Sequence, residues 1–236
     1  MARFVKHEAC PSCGSRDNLG RYSDGSAFCF GCHYTERADV SPFVGERNGQ
    51  AKEHGTGVRL PEDAGYLDGK GFGFLAQYGL DGPAIIRAGL KWSPSWEQLL
   101  FPLYGEDGKL CCVQARNFNP RRAAKAKYYN VGDKSESCTH YGDTDTVVLV
   151  EDCVSAIKVG MVETGFPLLG TSITKERLRW LSKRFKRIIV WLDADKYREA
   201  RDIADAAKLL GVAVKTVYTE HDPKTYSIEQ IKEFLL

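Results

Sequence analysis

After residue 145, short apolar runs alternate with segments whose apolar residues recur at helical spacing. The apolar runs predict strands near 146–150, 166–169, 187–192 and 212–218. The helical segments lie near 153–164, 174–185, 197–210 and 227–235. Strands that alternate with helices in this way form a mainly parallel sheet with helices on both faces. The pattern therefore predicts an α/β fold for the C-terminal part of the chain.

The pattern is different upstream of residue 145. The stretch QLLFPLYGEDGKLCCVQARNF contains two strand-like runs separated by Gly105 to Gly108, which predicts a hairpin. Residues 43–59 hold little apolar material and several glycines, as linkers do. Residues 10–40 are short, turn-rich and cysteine-bearing. The chain is thus predicted to hold a small N-terminal module, a linker and a larger globular region.

Composition argues against a membrane or secreted protein but does not indicate a function. With 236 residues and 43% apolar content, the chain can bury a substantial core. The formal net charge is +2, from 33 Lys and Arg against 31 Asp and Glu, so total charge decides nothing about a nucleic-acid partner. No apolar stretch approaches the length that spans a bilayer, and the N-terminus MARFVKHEAC lacks the apolar run of a secretory signal. We therefore expect a cytoplasmic protein with no membrane partner.

Two cysteine pairs give the clearest chemical signal. They are Cys10 with Cys13 and Cys29 with Cys32, each a C-x-x-C knuckle. A knuckle points two thiolates at one position, and the loop between the pairs lets the two halves meet, so the spacing predicts a tetrahedral zinc site. The alternative is four reduced structural thiols. A disulfide framework is not expected for the eight cysteines of a cytosolic chain, because that compartment keeps thiols reduced.

Acidic residues follow two of the predicted strands. Glu151 comes directly after one strand, and Asp193 and Asp195 come after another. The carboxyl ends of parallel strands are where ligands bind, and three carboxylates there suit Mg²⁺, which leaves its other positions for water and phosphate oxygens. An equally good alternative at this point is helix capping, since Asp195 could cap the helix that begins near Tyr197.

A basic stretch with interleaved aromatic residues precedes the predicted parallel sheet. Its cations are Arg116, Arg121, Arg122, Lys125 and Lys127, and its aromatic residues include Phe118, Tyr128 and Tyr129. Cations neutralise phosphates and aromatic faces stack on unpaired bases, which favours a nucleic-acid interface. A solvated loop is the alternative.

These motifs together carry a family resemblance. VEDCVSAIKVG, followed by VWLDAD, resembles the TOPRIM fold, which has a glutamate after one strand and an Asp-x-Asp after a later one. With the four-cysteine module, the chain resembles a bacterial or phage-type DNA primase, most closely the primase portion of phage primase-helicases. SDGSAFCFGC is similar to the second half of that family's zinc module, and QARNFNPRRAAKAKYYN resembles the basic stretch ahead of its TOPRIM domain.

The resemblance implies a domain order and roles for single residues. It implies a zinc ribbon over 1–40, a flexible linker over 41–59 and an RNA polymerase region over 60–236. That region divides into a small mixed α+β subdomain, 60–143, and a TOPRIM domain, 144–236. The implied catalytic Mg²⁺ or Mn²⁺ ligands are Glu151, Asp193 and Asp195, with Asp222 as a further catalytic acid. The implied nucleotide-binding and DNA-binding residues are Arg116, Arg122, Lys127 and, in the zinc module, Asp24.

The chain departs from the family pattern at several positions. Many relatives have Gly after the glutamate and a further acid four residues beyond it, where this chain has Asp152 and Ser155. KYREA follows Asp195 without the usual Ala-Gly, and Ser26 stands where one relative has a template-reading histidine. The acidic residues near Glu151 therefore stand at different sequence positions from those of many relatives.

The function implied by the resemblance is synthesis of short RNA primers from ribonucleoside triphosphates on single-stranded DNA during phage DNA replication. Implied partners are the template, a replicative helicase and a DNA polymerase. No Walker G-x-x-x-x-G-K-[ST] motif occurs, so a helicase motor is not expected within these residues. The alternatives are a non-catalytic zinc and TOPRIM DNA-binding protein of the recombination-mediator type, and a TOPRIM nuclease.

Overall fold

A computed structural model describes residues 4–23, 26–32, 34–36 and 57–236. The chain divides into two compact units, Met1–Glu53 and His54–Leu236. Most of the predicted linker, 41–59, lies outside the described residues, as does Asp24. In the described part of the chain, no helix is both long and apolar enough to cross a membrane.

The N-terminal unit is a small antiparallel sheet. Its strands are β1 (Phe4–Glu8), β2 (Leu19–Tyr22), β3 (Ala27–Cys29) and β4 (Thr35–Glu36), hydrogen-bonded in that order. Its buried cluster consists of Cys10, Leu19, Ala27 and Cys29, with Cys32 and Tyr34 packed against it. This cluster is small, so the unit buries little apolar surface.

The second unit begins with two helices and an antiparallel sheet. The helices are α1 (Gly69–Ala76) and α2 (Gly82–Arg87), each capped by an aspartate that accepts a hydrogen bond from the third residue beyond it. The sheet strands are β5 (Lys91–Ser93), β6 (Gln98–Tyr104), β7 (Leu110–Asn117) and β8 (Tyr128–Gly132), in sequential order. The helix α3 (Pro120–Ala123) lies between β7 and β8. The predicted hairpin is the pair β6 and β7.

The rest of the chain forms the predicted parallel sheet. Its elements are β9 (Thr146–Val150), α4 (Cys153–Val159), β10 (Thr164–Pro167), α5 (Lys175–Arg184), β11 (Arg187–Val190), α6 (Tyr197–Lys208), β12 (Ala213–Thr216) and α7 (Ile228–Leu235). The strand order is β10-β9-β11-β12, and every pairing is parallel. The prediction of an α/β fold with a parallel sheet is confirmed.

The predicted helix over 153–164 is too long. Helix α4 ends at Val159, and β10 begins at Thr164, where the helix was expected to end. Gly160 is the C-cap residue of α4, and the apolar residues that follow it belong to a turn and to β10. A Cβ atom at Gly160 would lie 2.7 Å from the Tyr141 carbonyl oxygen, so the close approach of the two segments requires glycine there.

Helices cover both faces of the parallel sheet. Along β9, Val147 and Leu149 join a cluster with α5 and α6, whereas Val148 and Val150 face α4 and α7. The cluster that contains Val148 and Val150 also contains buried residues of α1, α2, β6 and β7. The antiparallel and parallel sheets of this unit therefore share one continuous core.

Candidate active site and metal centre

The four predicted zinc ligands lie together in the N-terminal unit. Their sulfur atoms all lie within 4.8 Å of one another. The Sγ atoms of Cys10 and Cys32 are 3.6 Å apart, and those of Cys13 and Cys29 are 3.8 Å apart. Four sulfurs at zinc-bond length from one central ion would be separated by about 3.8 Å. The cluster therefore has the size of a tetrahedral zinc site.

Backbone amides shape the second knuckle for an ionised sulfur. Burial disfavours the thiolate of Cys29, but the backbone N–H groups of Cys32 and Gly31 and the thiols of Cys32 and Cys10 donate to it, and its pKa is lowered to about 7. The neighbouring thiols in turn raise the pKa of Cys13 to about 12, so without a metal the negative charge is on Cys29. Zinc binds the thiolate form of cysteine. The knuckle backbone therefore favours the form that binds the metal.

The acidic residues lie at the carboxyl ends of the two central strands of the parallel sheet. Glu151 follows β9, and Asp193 lies three residues after the end of β11. Glu151 Oε1 accepts a hydrogen bond of 2.9 Å from the backbone N–H of Asp193. The sheet thus brings together two residues that are 42 positions apart in sequence.

Asp222 reaches the same place from the loop after β12. The pKa of Asp193 is raised to about 7, first by burial and then by the charges of Glu151 and Asp222. Burial also raises the pKa of Glu151, with Asp195 and Asp222 contributing. Like charges held this close in a half-buried site are stabilised by a cation. This electrostatic pattern marks the edge as a candidate cation site.

Asp195 is close to this group, but its side chain pairs with a neighbouring lysine. Its carboxylate forms an ion pair with Lys196, which lowers its pKa, and its side chain is 72% exposed. The helix-cap interpretation of Asp195 is wrong, because α6 is preceded by Lys196 at the N-cap and has no side-chain cap hydrogen bond. The residue contributes to the charge at Glu151 without contacting it directly.

Two further residues at this edge were missed as site residues. Asp152 caps α4 by accepting from Val154 N and Ser155 N. The ammonium of Lys224 lies 2.8 Å from Asp152 Oδ2 and also pairs with Asp222. Burial alone would lower the pKa of Lys224, but both carboxylates outweigh it and raise the pKa, so the ammonium stays charged. Nothing local signals this contact, because Lys224 and Asp152 are 72 positions apart.

The donor set at the acidic edge suits a hard divalent cation. Among the described residues, the four cysteines are the one group of three or more possible ligands close enough together to hold a metal ion. The acidic edge therefore does not hold three carboxylates in place around one position. Glu151 and Asp193 are adjacent, and neither forms an ion pair in the described part of the chain. Mg²⁺ commonly binds one or two carboxylates and takes its remaining oxygens from water and phosphate. Glu151 and Asp193 therefore fit Mg²⁺ or Mn²⁺ without a third fixed carboxylate.

The predicted nucleic-acid residues occupy three different environments. The guanidinium carbon of Arg116 lies 3.9 Å from the centre of the Phe74 ring, and within 5.3 Å of those of Phe118 and Tyr128. Its Nε atom is buried and has no hydrogen-bond partner in the described part of the chain. Arg116 is thus held by aromatic rings and makes no direct contact with the carboxylates.

Arg122 and Lys127 lie on the surface near the antiparallel sheet. The guanidinium of Arg122 stacks on Trp96 at 4.4 Å and donates to the Trp96 carbonyl oxygen at 3.0 Å. Lys127 is exposed, directly before β8. The solvated-loop alternative fits Lys127 better than it fits Arg116.

The parallel sheet with helices on both faces, preceded by a four-cysteine cluster, is consistent with an α/β fold of the TOPRIM type. No protein-family model matches the chain, and no curated protein matches it in sequence. Among solved structures, the chain is similar to the primase fragment of the bacteriophage T7 primase-helicase protein. The TM-score is 0.53 at 17% identity, over 99% of this chain and 100% of that one.

Two other solved structures are similar over less of the chain. One is the RNA polymerase domain of Mycobacterium tuberculosis primase DnaG, with TM-score 0.48 and 17% identity over 69% of this chain and 64% of that one. The other contains bacteriophage T7 lagging-strand DNA polymerase with primase domains bound to an RNA/DNA hybrid and dTTP, with TM-score 0.47 and 15% identity over 93% and 89%. The T7 primase fragment thus establishes the fold, and the residues must decide the function.

Proposed function

We propose that this protein is a DNA primase, which joins ribonucleotides into short RNA primers on single-stranded DNA during phage DNA replication. The observation that carries the proposal is the meeting of Glu151 and Asp193 at the carboxyl edge of a parallel sheet, in a chain that also has a zinc-sized cysteine cluster. The fold, which is that of a primase fragment along its whole length, is consistent with this proposal.

Glu151 and Asp193 would hold the catalytic Mg²⁺ or Mn²⁺, with Asp195 and Asp222 as the further acidic residues. When bound, the cation supplies positive charge that stabilises the charge developing on phosphate oxygens at the α-phosphorus. The two carboxylates repel a triphosphate in the absence of the ion, so they select the nucleotide in its cation-bound form. The reaction is attack of a 3′-hydroxyl on the α-phosphorus with pyrophosphate as the leaving group.

The basic residues serve to bind phosphate. Arg116 has fixed orientation because its guanidinium is stacked on Phe74, and a held cation near the reacting phosphate costs no reorganisation during reaction. Arg122, next to the exposed Trp96, and Lys127 would contact nucleotide or template. Asp24, in the zinc module, would help to read template bases.

The proposed domain organisation follows the same division of labour. The zinc ribbon (1–40), with its bound zinc, recognises the start site and the linker (41–59) joins it to the polymerase region. Within that region, 60–143 supplies the basic side chains and the TOPRIM domain, 144–236, supplies the carboxylates. The proposed partners in the host cytoplasm are a replicative helicase, as a separate chain or further domain, and a DNA polymerase.

One incubation tests this proposal against its alternatives. The zinc-loaded protein is mixed with single-stranded DNA of randomised sequence, Mg²⁺ and labelled ribonucleoside triphosphates. Short labelled RNA that depends on template is the expected product. Cleaved DNA would show a nuclease, and bound but unchanged DNA would show a non-catalytic mediator. Either of these outcomes overturns the proposal.

A further inference from the structure

Lys224 has an unusual position for an exposed-loop lysine. It lies on the short 3-10 turn Pro223–Thr225 after β12, and its side chain is only 18% exposed. Its ammonium contacts one carboxylate on each side, Asp152 at 2.8 Å and Asp222. A charge this far removed from water requires close partners, and this lysine has two.

Asp152 is the fixed end of this arrangement. Its Oδ1 accepts from Val154 N and Ser155 N at 2.9 and 3.0 Å, and its Oδ2 accepts from Ser155 Oγ at 2.8 Å. Both oxygens are therefore already committed to the first turn of α4. The side chain of Asp152 cannot turn toward the sheet edge without breaking this cap.

Asp222, at the other end, is not held by a helix cap. It precedes the 3-10 turn but makes no cap hydrogen bond with its side chain. It lies close enough to Asp193 for the charges of the two carboxylates to interact. Lys224 thus links the cap of α4, through Asp222, to the carboxylates at the sheet edge.

The charges at the edge are consequently divided between two environments. Asp195 is paired with Lys196, and Asp152 and Asp222 share Lys224. Glu151 and Asp193 form no ion pair in the described part of the chain. An ammonium held between Asp152 and Asp222 repels any dication placed beside it.

We propose that Lys224 is a positioning residue that takes the place of one divalent cation at this edge, so that Glu151 and Asp193 hold a single Mg²⁺ or Mn²⁺. The inference rests on the proposed function, since it takes the acidic edge as the cation site. Its role is to neutralise Asp222 permanently and to hold this carboxylate beside Asp193. The substitution of a side-chain cation for a metal ion makes the site dependent on one bound ion instead of two.

The test counts bound cations without relying on catalysis. Zinc-loaded protein, free of nucleotide and DNA, is titrated with Mn²⁺ while free Mn²⁺ is followed by electron paramagnetic resonance. The wild-type chain should bind one Mn²⁺, and Asp193→Asn should lose it. Lys224→Met, which keeps the length of the side chain without its charge, should bind a second Mn²⁺ or bind the first about tenfold more tightly.

Matched variants separate the charge of Lys224 from its packing. Lys224→Arg keeps the positive charge and should bind one ion as the wild type does. Lys208→Met removes a lysine that pairs with Asp205 on the exposed face of α6, and it should change nothing. Zinc content and a thermal melt of each variant establish that it is folded.

Two outcomes overturn the inference. One is a wild-type protein that binds two Mn²⁺ ions or none, which is decisive even if Lys224→Met does not fold. The other is a folded Lys224→Met variant with wild-type stoichiometry and affinity. A failure to make primers, together with the expected cation counts, would refute the proposed primase activity and leave the role of Lys224 standing.

Discussion

Asp193 shows how its surroundings change the chemistry of an ordinary carboxylate. Its position near the end of a central parallel strand half-buries it, and the same topology brings Glu151 beside it. Burial and neighbouring charge together raise its pKa to about 7, far above the value of a free aspartate. The ionised form of Asp193 therefore destabilises the folded protein, and a bound cation would stabilise it.

Asp193→Asn should reduce template-dependent primer synthesis on the order of 100-fold or more, because the several kcal/mol of charge stabilisation supplied by the ion depends on this carboxylate. Incorporation of labelled ribonucleotide measures the loss, and zinc content should be unchanged. Asp202→Asn, on the exposed surface of α6, is the matched control and should keep full activity. Retained activity in Asp193→Asn would contradict the assignment.

The same substitution should stabilise the protein when no Mg²⁺ is present. Because the folded pKa of Asp193 is raised, its contribution to stability is fully present below the ordinary pKa and is lost as the pH rises through about 7. Asn has no charge to lose. Asp193→Asn should therefore melt a few degrees above the wild type at pH 8 in magnesium-free buffer, with a smaller difference at pH 5.

Some of the contacts at the acidic edge could be predicted from the sequence, and others could not. Glu151 and Asp193 could be predicted as neighbours, because each follows an apolar run and parallel strands end at the same edge. The pairing of Lys224 with Asp152 could not, since it depends on how the loop after β12 packs on α4. Asp195 was predicted to join the carboxylates, yet its exposed side chain pairs with the next residue along the chain.

At the scale of elements, the close packing of α4 on β10 depends on one glycine. A Cβ atom at Gly165 would lie 2.0 Å from the backbone carbonyl oxygen of Ala156. Neither the strand nor the helix backbone can easily move to make room for it. This approach sets the position of α4, and α4 carries the Asp152 cap. The packing of an element therefore determines where a site residue lies.

Gly165→Ala should destabilise the protein on the order of 1–3 kcal/mol, because the added methyl group forces the helix away from the strand. Gly73→Ala is the matched control. Its added Cβ meets nothing within 4 Å, and it lies in helix α1, so it should be neutral or stabilising by up to about 1 kcal/mol. Thermal melts of both variants measure the difference, and equal melting temperatures would contradict the argument.

The order and type of the elements in the parallel sheet followed from sequence, because buried strands and amphipathic helices have distinct apolar periods. The end of α4 was predicted wrongly, because apolar residues continue past Val159 through the turn and into β10, so the pattern alone marks no boundary there.

At the scale of the whole molecule, the two units should depend on different ions. Cys29→Ser should remove the bound zinc and unfold the N-terminal unit, since the small core there contributes little on its own. Primer initiation should be lost, whereas extension of a pre-annealed RNA primer should persist within about a factor of two, because the acidic edge and its supporting core belong to the second unit. Zinc analysis and primer assays check both expectations.

Cys138→Ser provides the control for this experiment. Cys138 lies in the second unit, outside the four-cysteine cluster, and its replacement should leave zinc content and initiation unchanged. Loss of extension together with initiation in Cys29→Ser would contradict the separation of roles.

A fragment comprising His54–Leu236 should fold alone and melt in a single transition. The reason is that buried residues of the antiparallel sheet and of the parallel sheet belong to one cluster. Calorimetry measures this directly. Two separate transitions would show that the antiparallel sheet and the parallel sheet fold independently.

This shared core also limits how the molecule can work. Arg116, on β7, and Glu151, at the end of β9, belong to sheets that are packed against a common interior. Moving one relative to the other would open a close-packed interior, so their separation is set once, when the chain folds. If the protein makes primers as proposed, each nucleotide would be added against a surface whose spacing is the same for the first nucleotide as for the last.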